Sequence, residues 1–203
     1  MFGGAKSGTD AIISGAAKGL GFGDKQNAYN MLMDLWAGVT KYATDLFRSG
    51  IGVMFPGVGA FVFRNSVDKD GKVRRTPGFI FADTIVQRGA LKVKHREQAC
   101  VEGHSKLGSI YEVYAPVRTL SWPAIATRSG LTTPECNTGY KIVVEQLENT
   151  ISAHSPVKFS LGCGTLMVQS GWCEVILDRE VIASIPVGTL TKVVTSGFTS
   201  KPV

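Results

Sequence analysis

No stretch of this 203-residue chain approaches the roughly 18 consecutive apolar residues at which a membrane-crossing helix becomes possible. The start, Met1 to Lys6, has no charged segment followed by a long apolar run, and Phe rather than Gly stands at position 2. A secretory leader and myristoylation are therefore not expected. Four cysteines (Cys100, Cys136, Cys163 and Cys173) form no C-x-x-C pair, and only Cys100 has a histidine close by, His104. They read as reduced thiols of a cytosolic protein. Charged residues are only 19% of the chain, yet hydrophobic residues reach 44%, which excludes a largely disordered polymer.

Residues that could carry chemistry are equally sparse. His95, His104 and His154 are scattered; Cys100 lies four positions before His104, but in a stretch with no clear period to set the two on one face, and all three read as surface histidines. Gly19 to Gly23 alternates glycine with Leu20 and Phe22, but no strand precedes it and no Gly-Lys-Ser/Thr follows, so nucleotide binding is not expected. Cys163 sits between Gly162 and Gly164 with no basic neighbour to lower its pKa. Trp36, Trp122 and Trp172 lie on apolar stripes or a strand and read as core or interface anchors rather than a base-stacking platform. No catalytic residue, cofactor, metal ligand or small-molecule substrate is expected, which points to a non-enzymatic protein.

The net charge is +6. Its source is local: Arg64, Lys69, Lys72, Arg74, Arg75, Arg88, Lys92, Lys94 and Arg96 are opposed in their segment only by Asp68, Asp70 and Asp83. Nine cations against three carboxylates leave an excess of six, equal to that of the whole chain. Such a stretch is either a solvated surface or a dock for something acidic, DNA or a protein lattice alike.

The pattern along the chain predicts an α+β protein with an internal repeat. Residues 1–24 are glycine-rich; Asp10 to Ile13 can start a short turn of helix, but Gly15, Gly19, Gly21 and Gly23 do not sustain one, and the segment is expected to form an arm. Ala28, Met31, Leu32, Leu35, Val39, Tyr42 and Leu46 recur at helical steps, ending at Arg48-Ser49-Gly50. Strands are expected over 51–55 and 60–64, around a corner of Pro56, Gly57, Val58 and Gly59. A turn at 68–71 leads to a third strand near 78–82, then a helix over 83–94. A first unit thus spans 25–96 and a linker 97–117. A second unit over 118–180 repeats the order: Ser121 and Pro123 open a short helix, Thr133 and Pro134 a longer one, and strands follow at 157–161, 165–169 and 172–177. Its corner is Gly162-Cys163-Gly164, and residues 181–203 remain as a tail.

The corner from Phe55 through Gly57, Gly59 and Phe61 to Arg64 resembles the strand corner of the HU/IHF family. Ile125 to Thr132 is similar to that family's first helix and its exit. The fold class so implied is two tandem HU/IHF-like units, each with helices packed on a three-stranded antiparallel meander. Two such units in tandem resemble the HU-domain pair of the ciliary family typified by coiled-coil domain-containing protein eighty-one. The features that carry this are Arg75 to Phe79, Arg88 to Lys92, and Pro116-Val117, within roughly 27–180.

In bacterial members, long arms tipped with a wedging proline bend DNA. Here the first unit's hairpin reads as short, with no proline at its tip, and the second has only Ser170-Gly171 between its strands. DNA bending is therefore not carried over. The resemblance implies a structural component of ciliary or flagellar axonemes, a microtubule inner protein contacting tubulin and other axonemal proteins in the cytoskeleton. An architectural nucleic-acid-binding protein and a cytosolic adaptor are the alternatives. Arg64, Lys69, Lys72, Arg74, Arg75, Arg88, Lys92 and Lys94 are the expected partner contacts, and Pro56, Gly57, Gly59, Gly162 and Gly164 the structural corners.

Overall fold

Strands and helices alternate here in two runs of the same order. The computed structural model describes residues 7–20, 25–67, 73–95 and 116–185. The first run comprises α1 (Thr9–Gly19), α2 (Lys25–Arg48), β2 (Gly52–Phe55), β3 (Gly59–Val67), β4 (Val73–Phe81) and α3 (Asp83–Arg88). The second comprises α4 (Trp122–Ser129), α5 (Thr133–Ser152), β7 (Val157–Ser160), β8 (Gly164–Gln169), β9 (Trp172–Leu177) and α6 (Arg179–Ala183). Three short strands tie the runs together: β1 (Ser7–Gly8), β5 (Lys92–Val93) and β6 (Val117–Thr119). The protein is thus mixed α+β.

Part of the expected arm is not an arm. Residues 7–20 form β1 and α1, and α1 buries Ile12, Ile13, Ala16 and Ala17 against α2 and α5. Tertiary burial overrides the poor helix propensity of glycine. Gly15 even serves the packing, since a Cβ there would stand 2.8 Å from the Gln146 side chain of α5. Residues 1–6 and 21–24 of that arm lie outside the described residues.

The two runs exchange strands. β1, which precedes the first run's helices, pairs parallel with β7 of the second. β6, which precedes the second run's helices, pairs parallel with β2 of the first. β5 follows α3 and pairs parallel with β9. The result is a five-stranded sheet, β1-β7-β8-β9-β5, and a four-stranded sheet, β4-β3-β2-β6. The expected boundary between 117 and 118 therefore cuts through β6. The helix expected over 83–94 ends at Arg88, where Gly89 and Ala90 (φ +47°) reverse the chain into β5. Residue 181 likewise falls within α6 rather than at the start of a tail.

One hydrophobic core spans both runs, joining Leu32, Leu35, Trp36 and Phe61 of the first to Tyr140, Leu147, Phe159 and Leu166 of the second. The long helices meet where Gly139 faces Leu35; a Cβ at Gly139 would lie 2.6 Å from the Leu35 Cδ2. The rings of Trp36 and Tyr140 stack there at 6.0 Å. Each anchors the other run's glycine corner. The Trp36 indole N–H donates to Ser160 O at 2.9 Å, and the Tyr140 hydroxyl to Pro56 O at 2.9 Å. The corners match in conformation, with Gly57 and Gly162 both at φ +83°, a left-handed geometry that disfavours any side chain. A capping box of Thr132 with Glu135 starts α5, one residue earlier than the sequence indicated. Arg128 fastens α4 to α2 through Asp45 at 3.3 Å and the Tyr42 ring at 5.4 Å.

Candidate interaction surfaces

The basic stretch does not form one patch. Arg64 is exposed on β3, and Arg74 and Arg75 lie on β4 opposite Ser66 and Asn65. Lys69, Lys72 and Arg96 lie outside the described residues. Arg88, Lys92 and Lys94 belong to a different region, after β4 has ended. Arg88 ends α3 and pairs with Glu148 of α5. Lys92 sits over the Trp172 ring at 5.6 Å, and Lys94 reaches Glu174 at 2.8 Å. The sequence placed these cations in one run; among the described residues the fold sets Arg64, Arg74 and Arg75 on the four-stranded sheet, Arg88 at the end of α3, and Lys92 and Lys94 at the edge of the five-stranded sheet.

The first group sits on a ribbon. β2 pairs with β3 only as far as Val53 and Phe61, whereas the β3–β4 ladder continues to Val67 and Val73. Past buried Phe63, four further residue pairs, Arg64↔Thr76 to Val67↔Val73, extend the hairpin by about 13 Å. The third strand begins at Val73 rather than near 78, so the hairpin is longer than the sequence indicated. Apart from the terminal pair Val67 and Val73, its outer residues are polar or basic, without the apolar alternation by which a strand is recognised. In the second run, the β8–β9 ladder passes the end of β7 by one pair, Gln169↔Trp172.

The second group edges an exposed sheet face. Trp172 is 48% and Ile176 54% exposed, and both lie on the outer face of β9. The cross-strand register sets Trp172 between Lys92 and Gln169, Glu174 opposite Met167, Met167 opposite Lys158, and Ile176 opposite Thr165. A groove of about 560 Å³ is lined by Lys94, Met167, Gln169, Ser170, Trp172, Cys173 and Glu174. Glu174 accepts from Lys94 and approaches His95 Nε2 at 3.1 Å. The hydrogen bond from Lys94 holds its carboxyl below the ordinary range. Trp172 is thus no core residue. Its exposure was hidden in the sequence because Trp172 alternates along β9 with buried Cys173 and Val175, and the face depends on register.

The cysteines offer no reactive thiol among the described residues. Cys136, Cys163 and Cys173 are free and buried. Burial pushes the Cys163 thiol up to about 12 and Cys173 to about 11. Cys100 and His104 lie outside the described residues. Among those described, no group of three or more His, Cys, Asp and Glu side chains is placed to hold a metal ion. No helix among them is long and apolar enough to cross a membrane. No family model matches the chain, and no curated protein matches its sequence.

Proposed function

We propose that the chain is a structural, non-enzymatic assembly protein built of two tandem HU/IHF-like units fused as an intrachain pseudo-dimer. In this reading it serves in ciliary and flagellar axonemes as a microtubule inner protein, binding tubulin and neighbouring inner proteins in the doublet. The observation that carries the proposal is the one-sidedness of the described ribbon on a body with one shared core. An HU-type clamp bends a duplex by reaching around it from both subunits and wedging a base step. A rigid body with one basic projection suits wedging into a protein lattice instead, with the ribbon that carries Arg64, Arg74 and Arg75 set against an acidic partner. The axonemal placement itself rests on the resemblance of Arg75 to Phe79, Arg88 to Lys92 and Pro116-Val117 to the ciliary family.

One observation favours the second reading, an HU-class architectural nucleic-acid-binding protein. The β3–β4 ribbon is longer than its sequence indicated and carries basic residues. Two assays separate the readings. Tagged protein should remain with salt-washed axonemes, and reversing Lys72, Arg74 and Arg75 to Glu should lower that retention. Purified protein should bind DNA only with Kd of about 10⁻⁴ to 10⁻⁶ M at physiological salt, without bending it. Nanomolar affinity with a measurable bend overturns the structural reading in favour of the second.

A further inference from the structure

We infer that the outer face of the five-stranded sheet is a docking surface for an acidic segment of a partner protein, patterned carboxylate–x–apolar–x–carboxylate. Trp172 and Ile176 are the large exposed hydrophobics among the described residues, and they share this face. Exposed apolar side chains gathered on one sheet face, beside a groove of about 560 Å³, mark an interaction site rather than scattered surface residues. The floor is Met167 and Glu174, and the wall is Trp172. An apolar side chain laid over Met167 would bury both sulfur and indole.

Charge chooses the flanks. Glu174 is already satisfied by Lys94 and His95, so its carboxylate does not set the sign of the site. Lys92, over the Trp172 ring, and exposed Lys158, opposite Met167, stand on either side of the floor. They lie on β5 and β7, three strand steps or about 14 Å apart across the sheet and one two-residue repeat apart along it, about 16 Å in all, within reach of flexible lysine side chains. In an extended segment, residues i and i+4 are about 13 Å apart and share a face with i+2. A segment crossing the strands can therefore set carboxylates at both lysines and an apolar residue between them. A second copy of this chain is disfavoured as occupant, because like faces would oppose Lys92, Lys94 and Lys158 to themselves. Single-stranded nucleic acid is disfavoured because Ile176 offers no stacking plane for a second base beside Trp172. This surface is separate from the ribbon, and the inference does not depend on the axonemal reading.

The test uses purified protein and a fluorescein-labelled peptide, Ser-Glu-Ser-Leu-Ser-Glu-Ser, by fluorescence anisotropy. Binding is expected, at least tenfold weaker for peptides with serine for leucine or lysine for both glutamates. Trp172→Ala, Ile176→Ser and the double variant Lys92→Glu with Lys158→Glu should each weaken it at least tenfold, with circular dichroism unchanged. Should Trp172→Ala fail to fold, the lysine variant at two exposed positions carries the test. The inference is overturned if the peptide does not bind, or if the lysine peptide binds as well. It is equally overturned if Trp172 supports oligodeoxythymidine binding or concentration-dependent dimerisation in place of peptide binding.

Discussion

The two sheets follow one order of elements and differ on both faces. Inside the first, a chain of phenylalanines makes the contact, from Phe47 on Phe63 at 4.5 Å through Phe61 on Phe79 at 4.9 Å to Phe79 on Phe81 at 5.1 Å. Inside the second, Phe159 is joined by Leu161, Cys163, Leu166, Val168, Cys173 and Val175. Outside, the first sheet buries a small cluster of Ala60, Val62, Ile80 and Val117, whereas the second exposes Trp172 and Ile176. The first projects a ribbon, and the second turns tightly at Ser170 and Gly171, both at positive φ. Symmetry is kept where the two runs hold each other and lost where they meet solvent. Conserved geometry at the helix crossing and corners serves folding, and divergence outside it leaves room for different partners.

Perturbing the symmetric elements should break both sheets at once. Trp36→Ala removes the stacked indole and the donor to Ser160 and should cost about 3 to 5 kcal/mol in urea unfolding. The two corners share a φ but not their surroundings. A Cβ at Gly162 would meet the Thr40 carbonyl oxygen at 2.6 Å, whereas one at Gly57 meets the Val144 Cγ1 at 3.1 Å. Backbone cannot yield as a side chain can, so Gly162→Ala should cost about 3 kcal/mol and Gly57→Ala about 1 to 2 kcal/mol. Equal losses at the two sites would show that the corners are equivalent despite their neighbours.

Tyr140→Phe is milder, losing the hydroxyl that holds Pro56 O and about 1 kcal/mol. The smallest effect concerns the edge where β5 joins the second run. The Glu174 carboxyl is lowered in the folded state, so unfolded chains bind its proton more readily. Its contribution is complete above the ordinary carboxyl pKa and is lost as pH falls through the lowered value. Glu174→Gln should flatten the acid limb of the stability curve, by less than about 1 kcal/mol. A thermal-unfolding series from pH 6 down to pH 2.5 checks the sign; unchanged acid sensitivity would show that Lys94 and Glu174 contribute nothing.

Much of this architecture was legible from residue patterns. The apolar stripe from Ala28 to Leu46 marked α2, and proline-flanked starts at Ser121 and Thr133 marked α4 and α5 within a residue. The meanders followed from alternation and paired glycine corners. What escaped depended on the partner run. α1 read as no more than a short turn over Asp10 to Ile13 because of its glycines, whereas its stability comes from Ile12 and Ile13 packing on distant helices. β1, β5 and β6 are two or three residues long, too short for any period, and pair only across the repeat. The outer face of β9 was invisible because Trp172 reads equally as core or interface anchor until the register assigns it a side.

The central claim is that the two runs form one cooperative body, each completing the other's sheet. Native-state hydrogen exchange at the central strands tests it, comparing amides of Ala60 to Phe63 in β3 with those of Thr165 to Val168 in β8. The account predicts a common opening free energy, within about 0.5 kcal/mol, that falls equally for both strands in Trp36→Ala. Exchange of one strand through a partial opening, while the other stays protected at the global value, would contradict it.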